Sequence, residues 1–178
     1  MRRLLVTGLS GTGKSALVSA LRARGEYAVD LDCAEYSRWV EVEADDEMTA
    51  AESPVEPGRD WVWREDAVRD LLAVERGDRL FVSGCAANMG RFLPSFDEIV
   101  LLSAPPAVIA ARLRERPRGE YGSRPEERER MLSLIDTVEP LLRRAAGHEI
   151  DTSGSIEHAV SAVLEIARTP SAQPGGQD

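Results

Sequence analysis

The stretch Gly8-Leu9-Ser10-Gly11-Thr12-Gly13-Lys14-Ser15 decides the fold of this chain of 178 residues. It has the pattern G-x-x-x-x-G-K-S, which is the signature of a phosphate-binding P-loop, or Walker A motif. An apolar, β-prone run over residues 3–7 precedes it, and Ala16, Leu17 and Leu21 follow at helical spacing. Because a P-loop joins a strand to a helix, this context supports the match.

Each part of the loop has a physical task in holding a nucleoside triphosphate. Glycines let backbone N–H groups approach phosphate oxygens without a Cβ in the way, and the helix that begins near Gly13 points its positive dipole end at them. Lys14 offers a compact cation to the β- and γ-phosphates, and Ser15 offers a hydroxyl to Mg²⁺. The predicted nucleotide-binding residues of the loop are Gly8, Ser10, Gly11, Thr12, Gly13, Lys14, Ser15 and Ala16. The alternative is a glycine-rich turn that binds nothing.

Lys14 is the only lysine among 22 lysine and arginine residues. The chain thus places its one flexible point charge where a planar guanidinium would serve less well. This count also excludes one class of protein, because the guanine-reading motif N-K-x-D of GTPases needs a second lysine. Large motor-type ATPases need an acidic pair at the end of the third sheet strand, and the run Arg79 to Ser83 carries no acid. A compact kinase remains.

Composition and charge restrict the partners. The formal net charge of −9 argues against nucleic-acid binding. No apolar run approaches the ~20 residues that span a membrane. Cys33 and Cys85 lie far apart without C-x-x-C spacing, so we expect a reducing, cytoplasmic location and no signal peptide. We expect a monomer or homodimer whose partners are a nucleoside triphosphate and a small-molecule acceptor.

The remaining pattern alternates strands with helices. Short strands are predicted over residues 1–7, 27–30, 79–83, 98–103 and 148–151, and helices over about 13–24, 60–76, 105–116, 124–146 and 155–168. Such alternation predicts an α/β fold, a three-layer sandwich with a five-stranded parallel sheet and helices on both faces. We expect one domain over residues 1–169 and a disordered Pro/Gly-rich tail over 170–178.

Residues 33–59 are the least regular part and are predicted to be an acceptor-binding insert. Residues 41–56 carry seven acids and no basic residue, which indicates either a solvated segment or a flap over the acceptor. After this insert, Asp60 is predicted to cap a helix that runs to about Arg76. Trp61 and Trp63 would then be core residues or walls of the acceptor pocket.

Three features together resemble a known family. They are the P-loop, the pair Asp30-x-Asp32 after the second strand, and Arg112-Leu113-x-x-Arg116 before an arginine-bearing lid at about residues 117–124. With them, the chain to about Arg168 resembles the nucleoside-monophosphate-kinase-like small kinases, and is most similar to shikimate and gluconate kinases. The resemblance implies the strand order 2-3-1-4-5, ATP as phosphoryl donor, Mg²⁺ and a mobile lid.

The resemblance also implies residue roles. In such kinases Asp30 would lie near Mg²⁺ together with Ser15, and Asp32 would hold the acceptor hydroxyl. Arg112 would stack on adenine, with Ser153 closing over it. The implied catalytic residues are Lys14, Asp32, Arg116 and Arg124, and the implied substrate-binding residues are Asp32, Arg64, Gly84 and Cys85.

Plainer interpretations stay open at this point. Asp30 and Asp32 could be ordinary polar strand ends, and Arg112 and Arg116 a solvated stripe. Arg64 and Arg91 could bind an anionic acceptor group or pair with the acidic segment, and Cys85 fits a small packed residue better than a nucleophile. For the whole protein, a nucleoside monophosphate kinase and an ATP-binding switch with slow hydrolysis are the alternatives to a small-molecule kinase.

Overall fold

The computed structural model of this protein describes residues 1–43, 56 and 58–169. Within them, five parallel strands form one sheet and two antiparallel strands form a separate hairpin. The strands are β1 (Arg2–Thr7), β2 (Ala28–Asp30), β3 (Ser37–Glu41), β4 (Arg59–Trp63), β5 (Arg79–Ser83), β6 (Glu98–Ser103) and β7 (His148–Asp151). The α-helices are α1 (Lys14–Ala23), α2 (Glu65–Ala73), α3 (Pro106–Arg114), α4 (Pro125–Thr137), α5 (Glu139–Ala145) and α6 (Ile156–Arg168).

The large sheet has the order β2-β5-β1-β6-β7, which confirms the predicted order 2-3-1-4-5 of its strands. β1 lies in the centre because its apolar residues alternate between two covered faces. Leu5 packs with α2 residues such as Val68, whereas Leu4 packs with α1 and α6 residues such as Leu17 and Val160. Helices therefore cover both faces, and the predicted three-layer α/β architecture is confirmed.

The hairpin of β3 and β4 corrects the prediction around residues 33–76. Trp61 and Trp63 do not lie on a helix, because α2 begins only at Glu65 and ends at Ala73. Asp60 lies inside β4 and pairs with Val40 of β3. An Asp before an apolar run is a good helix cap, which is why a helix was predicted here. The bulky residues Trp61, Val62 and Trp63 have high β propensity, however, and they form a strand that pairs with β3.

The helix predicted over about residues 124–146 also differs from the structure. α4 has a capping box at Arg124, whose N–H donates a hydrogen bond to the carboxylate of Glu127. The single predicted helix is divided in two, because α4 ends at Thr137 and α5 begins at Glu139. A proline is favourable in the first turn of a helix, and Pro140 is the second residue of α5.

The carboxyl ends of β1, β2 and β5 open toward the P-loop side of the sheet, where ligands of open α/β sheets bind. The predicted disordered tail at 170–178 lies outside the described residues, as does most of the acidic segment. No helix in the described part of the chain is long and apolar enough to cross a bilayer.

Candidate active site

The P-loop joins β1 to α1 and depends on glycines with left-handed backbone conformations. Gly8 has φ 151°, and a Cβ there would lie 2.4 Å from the carbonyl oxygen of Leu102. Gly13, with φ 97°, ends the loop at the start of α1. The hydroxyl of Thr12 donates to the carbonyl of Leu9 inside the loop. The amide groups at the start of α1 thus lie beside a cavity that can take an anion.

Lys14 bridges the loop and the end of β2. Its Nζ donates to the Gly8 carbonyl at 2.8 Å and lies 3.3 Å from Oδ2 of Asp32. Only 9% of the Lys14 side chain is exposed. The ammonium therefore stands between the loop that would hold phosphates and a carboxylate on the other side of the cavity.

Ser15 and Asp30, the predicted Mg²⁺ residues, lie in direct contact. The Ser15 hydroxyl donates to Oδ2 of Asp30 at 2.7 Å, while Oδ1 of Asp30 accepts the N–H of Asp32 at 3.0 Å. A hydroxyl and a carboxylate are oxygen ligands that suit Mg²⁺, which usually binds one or two such groups plus phosphate oxygens and waters. Their oxygens, 2.7 Å apart, therefore fit such a partial site.

Asp32 is held by the turn after β5. Its Oδ1 accepts the N–H of Cys85 at 3.2 Å, and 28% of its side chain is exposed at the base of the cleft. Burial raises the pKa of Asp32 above its ordinary value, against the opposing attraction of Lys14, and the nearby Asp30 raises it further. Burial likewise raises the pKa of the Cys85 thiol, which agrees with a packed residue rather than a thiolate nucleophile.

Gly84 permits this turn to pack closely. A Cβ on Gly84 would lie 3.1 Å from Cβ of Leu31 and 3.1 Å from Cζ2 of Trp63. Trp63 is 1% exposed and contacts Phe92, so it belongs to the core. Gly84 itself does not line the cavity, whereas its neighbour Cys85 does.

Arg112 joins three segments rather than forming a solvated stripe. Its Nη1 donates to the carbonyl of Gly11 at 3.3 Å and to the hydroxyl of Thr152 at 3.1 Å. The Thr152 hydroxyl donates to the carbonyl of Thr12 at 2.8 Å. Thr152 thus ties the P-loop to the turn after β7, while Ser153 is exposed and its N–H bonds Asp151.

The two predicted lid arginines differ in placement. Arg116 lines the cavity and donates to the carbonyl of Tyr121 within the lid. Arg124 precedes α4, and 78% of its side chain is exposed. Arg64 is also exposed and outside the cavity lining, and Arg91 pairs with Glu65 of α2 at 2.5 Å. The structure therefore brings Arg116 to the site and leaves Arg124 and Arg64 away from it.

A cavity of about 590 Å³ collects these groups. Of the predicted site residues, it is lined by Ser10, Gly11, Gly13, Lys14, Ser15, Ala16, Asp32, Cys85, Arg112 and Arg116. The other predicted residues, which do not line it, are Gly8, Thr12, Asp30, Arg64, Gly84, Arg124 and Ser153. Gly8, Thr12, Asp30 and Gly84 still support lining residues from behind.

Sequence reasoning missed three cavity residues with aromatic or acidic side chains, which are Trp39, Glu120 and Tyr121. Trp61, which was left open between core and pocket, also lines the cavity, whereas Trp63 does not. The signal for Trp39 was weak: the run Ser37-Arg38-Trp39-Val40-Glu41 holds the β-prone pair Trp39 and Val40 but lacks the polar/apolar alternation of a half-buried strand. Tyr121 carried no such signal, because its contact with the hairpin depends on the tertiary structure and not on the local sequence.

Comparisons with known proteins agree with this architecture. The sequence model of a family described as "AAA domain" matches residues 4–147. No curated protein matches the sequence significantly. Among solved structures, shikimate kinase from Acinetobacter baumannii in complex with shikimate has a TM-score of 0.60 at 15% identity, with 94% of this chain and 93% of that chain covered.

Two further structures have the same overall fold. Shikimate kinase from Bacteroides thetaiotaomicron has a TM-score of 0.58 at 19% identity, with 94% of this chain and 99% of that one covered. Deoxyadenosine kinase from M. mycoides with bound dATP has a TM-score of 0.57 at 11% identity, with coverage of 94% and 100%. At these identities the likeness is one of fold, and it confirms the P-loop kinase-like architecture.

Proposed function

This chain belongs to the AAA domain family, and we propose that it is a kinase that transfers the γ-phosphoryl group of ATP to a small molecule. One observation carries the proposal. The ammonium of Lys14 lies 3.3 Å from the carboxylate of Asp32, inside one cavity that also includes the P-loop. A phosphate-binding cation and an acid able to orient an acceptor therefore face each other.

The donor half of the proposed reaction rests on the P-loop. Lys14 Nζ now bonds the carbonyl of Gly8, and it would turn to the β- and γ-phosphate oxygens when ATP enters. Arg112 is fixed by the Gly11 carbonyl and by Thr152, so it lies beside the loop at a place where an adenine base could stack. Its role in base binding is part of the proposal.

The acceptor half rests on Asp32. An acceptor oxygen would attack the γ-phosphorus in line, the bond from that phosphorus to the ADP oxygen would break, and the acceptor proton would pass to the Asp32 carboxylate. The raised pKa of Asp32 makes it a better proton acceptor than an ordinary aspartate. The N–H of Cys85 fixes one carboxylate oxygen and leaves the other facing Lys14.

Ser15 and Asp30 would hold Mg²⁺, because their oxygens lie 2.7 Å apart at the edge of the P-loop. When bound, the ion would neutralise charge on the β- and γ-phosphates. Arg116 would add a second cation from the lid side of the cavity. Arg124 is a proposed contributor only after the lid moves, since its side chain now points into solvent.

The proposal is tested by a screen for acceptors. Pools of hydroxyl-bearing metabolites are added to the protein with ATP and Mg²⁺, and ADP release is measured against the basal rate. We expect one pool to raise ADP release and to yield a phosphorylated product. An ATP-binding switch predicts instead that no acceptor raises turnover.

The single lysine gives a sharp control for the same test. An amine-reactive reagent can modify only the α-amino group and Lys14, so mass spectrometry reads the occupancy of the P-loop at one site. We expect ATP to protect Lys14 and to leave the α-amino group reactive. Acceptor-dependent turnover that survives Lys14→Ala would contradict the assignment.

A further inference from the structure

Two of the three basic residues that line the cavity lie beside its donor half. Its three basic lining residues are Lys14, Arg112 and Arg116. Lys14 and Arg112 bond P-loop carbonyls, and both stand where the phosphates and base of ATP would lie. Because ATP brings several negative charges, Lys14 and Arg112 would be neutralised by the donor. The lining also carries two acids, Asp32 and Glu120.

Three aromatic rings form a wall of the same cavity. Trp39 and Trp61 pair across β3 and β4, with ring centroids 5.1 Å apart and planes at 60°. Tyr121 of the lid adds a third ring, whose centroid lies 5.8 Å from that of Trp39. All three residues are only partly buried, so ring surface remains open to a ligand. Met131 and Leu134 of α4 extend the lining with apolar surface.

Arg59, Arg116 and Arg130 lie near this wall, and Arg116 donates to the carbonyl of Tyr121. The guanidinium of Arg59 lies 4.5 Å from the Trp39 ring centroid, but it is paired with the carboxylate of Glu56. Arg64, the expected anion-binding residue, is exposed outside the lining. The undescribed residues 44–55, 57 and 170–178 include no lysine or arginine, so they cannot add a positive charge wherever they lie.

We propose that the acceptor is an alcohol that carries a planar ring and no phosphate or carboxylate group. The ring lies against Trp39 and Trp61, and the hydroxyl points to Asp32. An anionic acceptor would face the two acids of the lining, Asp32 and Glu120, and like charges repel. This inference rests on the proposed kinase function and narrows its substrate to neutral or cationic ring-bearing alcohols.

The test compares matched ligands that differ in one charged group. The full chain, saturated with Mg²⁺ and a non-hydrolysable ATP analogue to fill the donor half, is titrated calorimetrically. The pairs are adenosine and AMP, thymidine and TMP, and tryptophanol and tryptophan, with shikimate and gluconate as acids without an aromatic ring. We expect at least one ring-bearing alcohol to bind, and its more acidic partner to bind at least about tenfold more weakly.

Variants locate the binding surface. Trp61→Leu should lower the affinity for the bound alcohol by about tenfold to a hundredfold, which is the usual effect of losing one stacking ring. Arg38→Ala is the matched control, because Arg38 pairs with Val62 on the opposite face of the same hairpin. It removes a cation and should leave the affinity unchanged. The comparison of matched ligands needs no variant, so it stands even if Trp61→Leu fails to fold.

The outcomes separate this inference from the kinase proposal. Tighter binding of the anionic partner, absence of binding by every ring-bearing alcohol, or an unchanged affinity in folded Trp61→Leu would each overturn the inference. Ring-bearing alcohols that bind but are never phosphorylated with ATP would overturn the kinase proposal and leave the inference standing. Phosphorylation of an anionic acceptor would overturn the inference and leave the kinase proposal standing.

Discussion

The surroundings of Asp32 disfavour the ionised form of its carboxyl group. Burial raises its pKa, and Asp30 adds to this effect, while Lys14 and the N–H of Cys85 lower the pKa without fully compensating. A group whose pKa is raised in the folded state stabilises the fold below its unfolded pKa and loses that contribution as pH rises through the folded pKa. As pH rises above the ordinary value of 3.8, the ionisation of Asp32 therefore lowers the stability of the fold relative to its protonated form.

Asp32→Asn should separate stability from activity. Without the carboxylate, phosphoryl transfer should fall by about 10²–10⁴-fold, the usual range for a general base. The melting temperature at neutral pH should rise, because the carboxyl group whose ionisation is disfavoured by desolvation and by Asp30 is gone, and the gain should shrink as pH falls toward the ordinary value of 3.8. Steady-state kinetics and melting curves over pH measure both effects.

The matched control is Asp70→Asn, which removes an exposed charge from α2. Such surface changes stay within about 0.5 kcal/mol of the parent, and activity should be unchanged. A lower melting temperature for Asp32→Asn at neutral pH would contradict the assigned direction of the pKa shift. Unchanged transfer would remove Asp32 from the reaction.

The turn after β5 is the element on which the position of Asp32 depends. Gly84→Ala would push a Cβ against Leu31 and Trp63, both at 3.1 Å, and the neighbouring Cys85 N–H would move away from Asp32. We expect a loss of about 1–3 kcal/mol in the free energy of unfolding. We also expect kcat to fall more than the affinity for ATP, because the P-loop is not touched. Chemical denaturation and steady-state kinetics test both.

Gly90→Ala is the control for that element. It lies in the 3₁₀ turn Met89–Arg91, and a Cβ there meets nothing within 4 Å. Its stability and kcat should match those of the parent. Equal losses in both variants would mean that Gly84 acts through backbone freedom in general rather than through its contact with Trp63.

The elements differ in how far they could be predicted. The P-loop and the five sheet strands follow from local pattern, whereas the pairing of Ser15 with Asp30 was implied by the family resemblance and agrees with parallel strands bringing their carboxyl ends to one edge. The hairpin was missed because its strands pair across a long acidic segment, and Asp60 resembled a helix cap. The exposure of Arg64 depends on where β4 ends and α2 begins, which local sequence does not determine.

At the scale of the whole molecule, ligand binding and folding are linked. The P-loop, Arg112, Thr152 and Asp32 come from segments spread along the chain, so a nucleotide that contacts them binds only the folded state. At a ligand concentration of about 100 times Kd, such binding adds about 2.7 kcal/mol to stability. For a chain of this size, this corresponds to a rise in melting temperature of about 5–10 °C.

Mg²⁺ should account for a separate part of that rise. We expect ATP with Mg²⁺ to raise the melting temperature more than ATP with a chelator, because Ser15 and Asp30 lie ready to hold the ion. Ser15→Ala should remove most of this difference and retain the chelator-resistant part, which comes from Lys14 and the loop amides. Ser19→Ala, an exposed serine on the same helix, should behave as the parent. A difference between metal and chelator that persists in Ser15→Ala would place the ion elsewhere in the cavity.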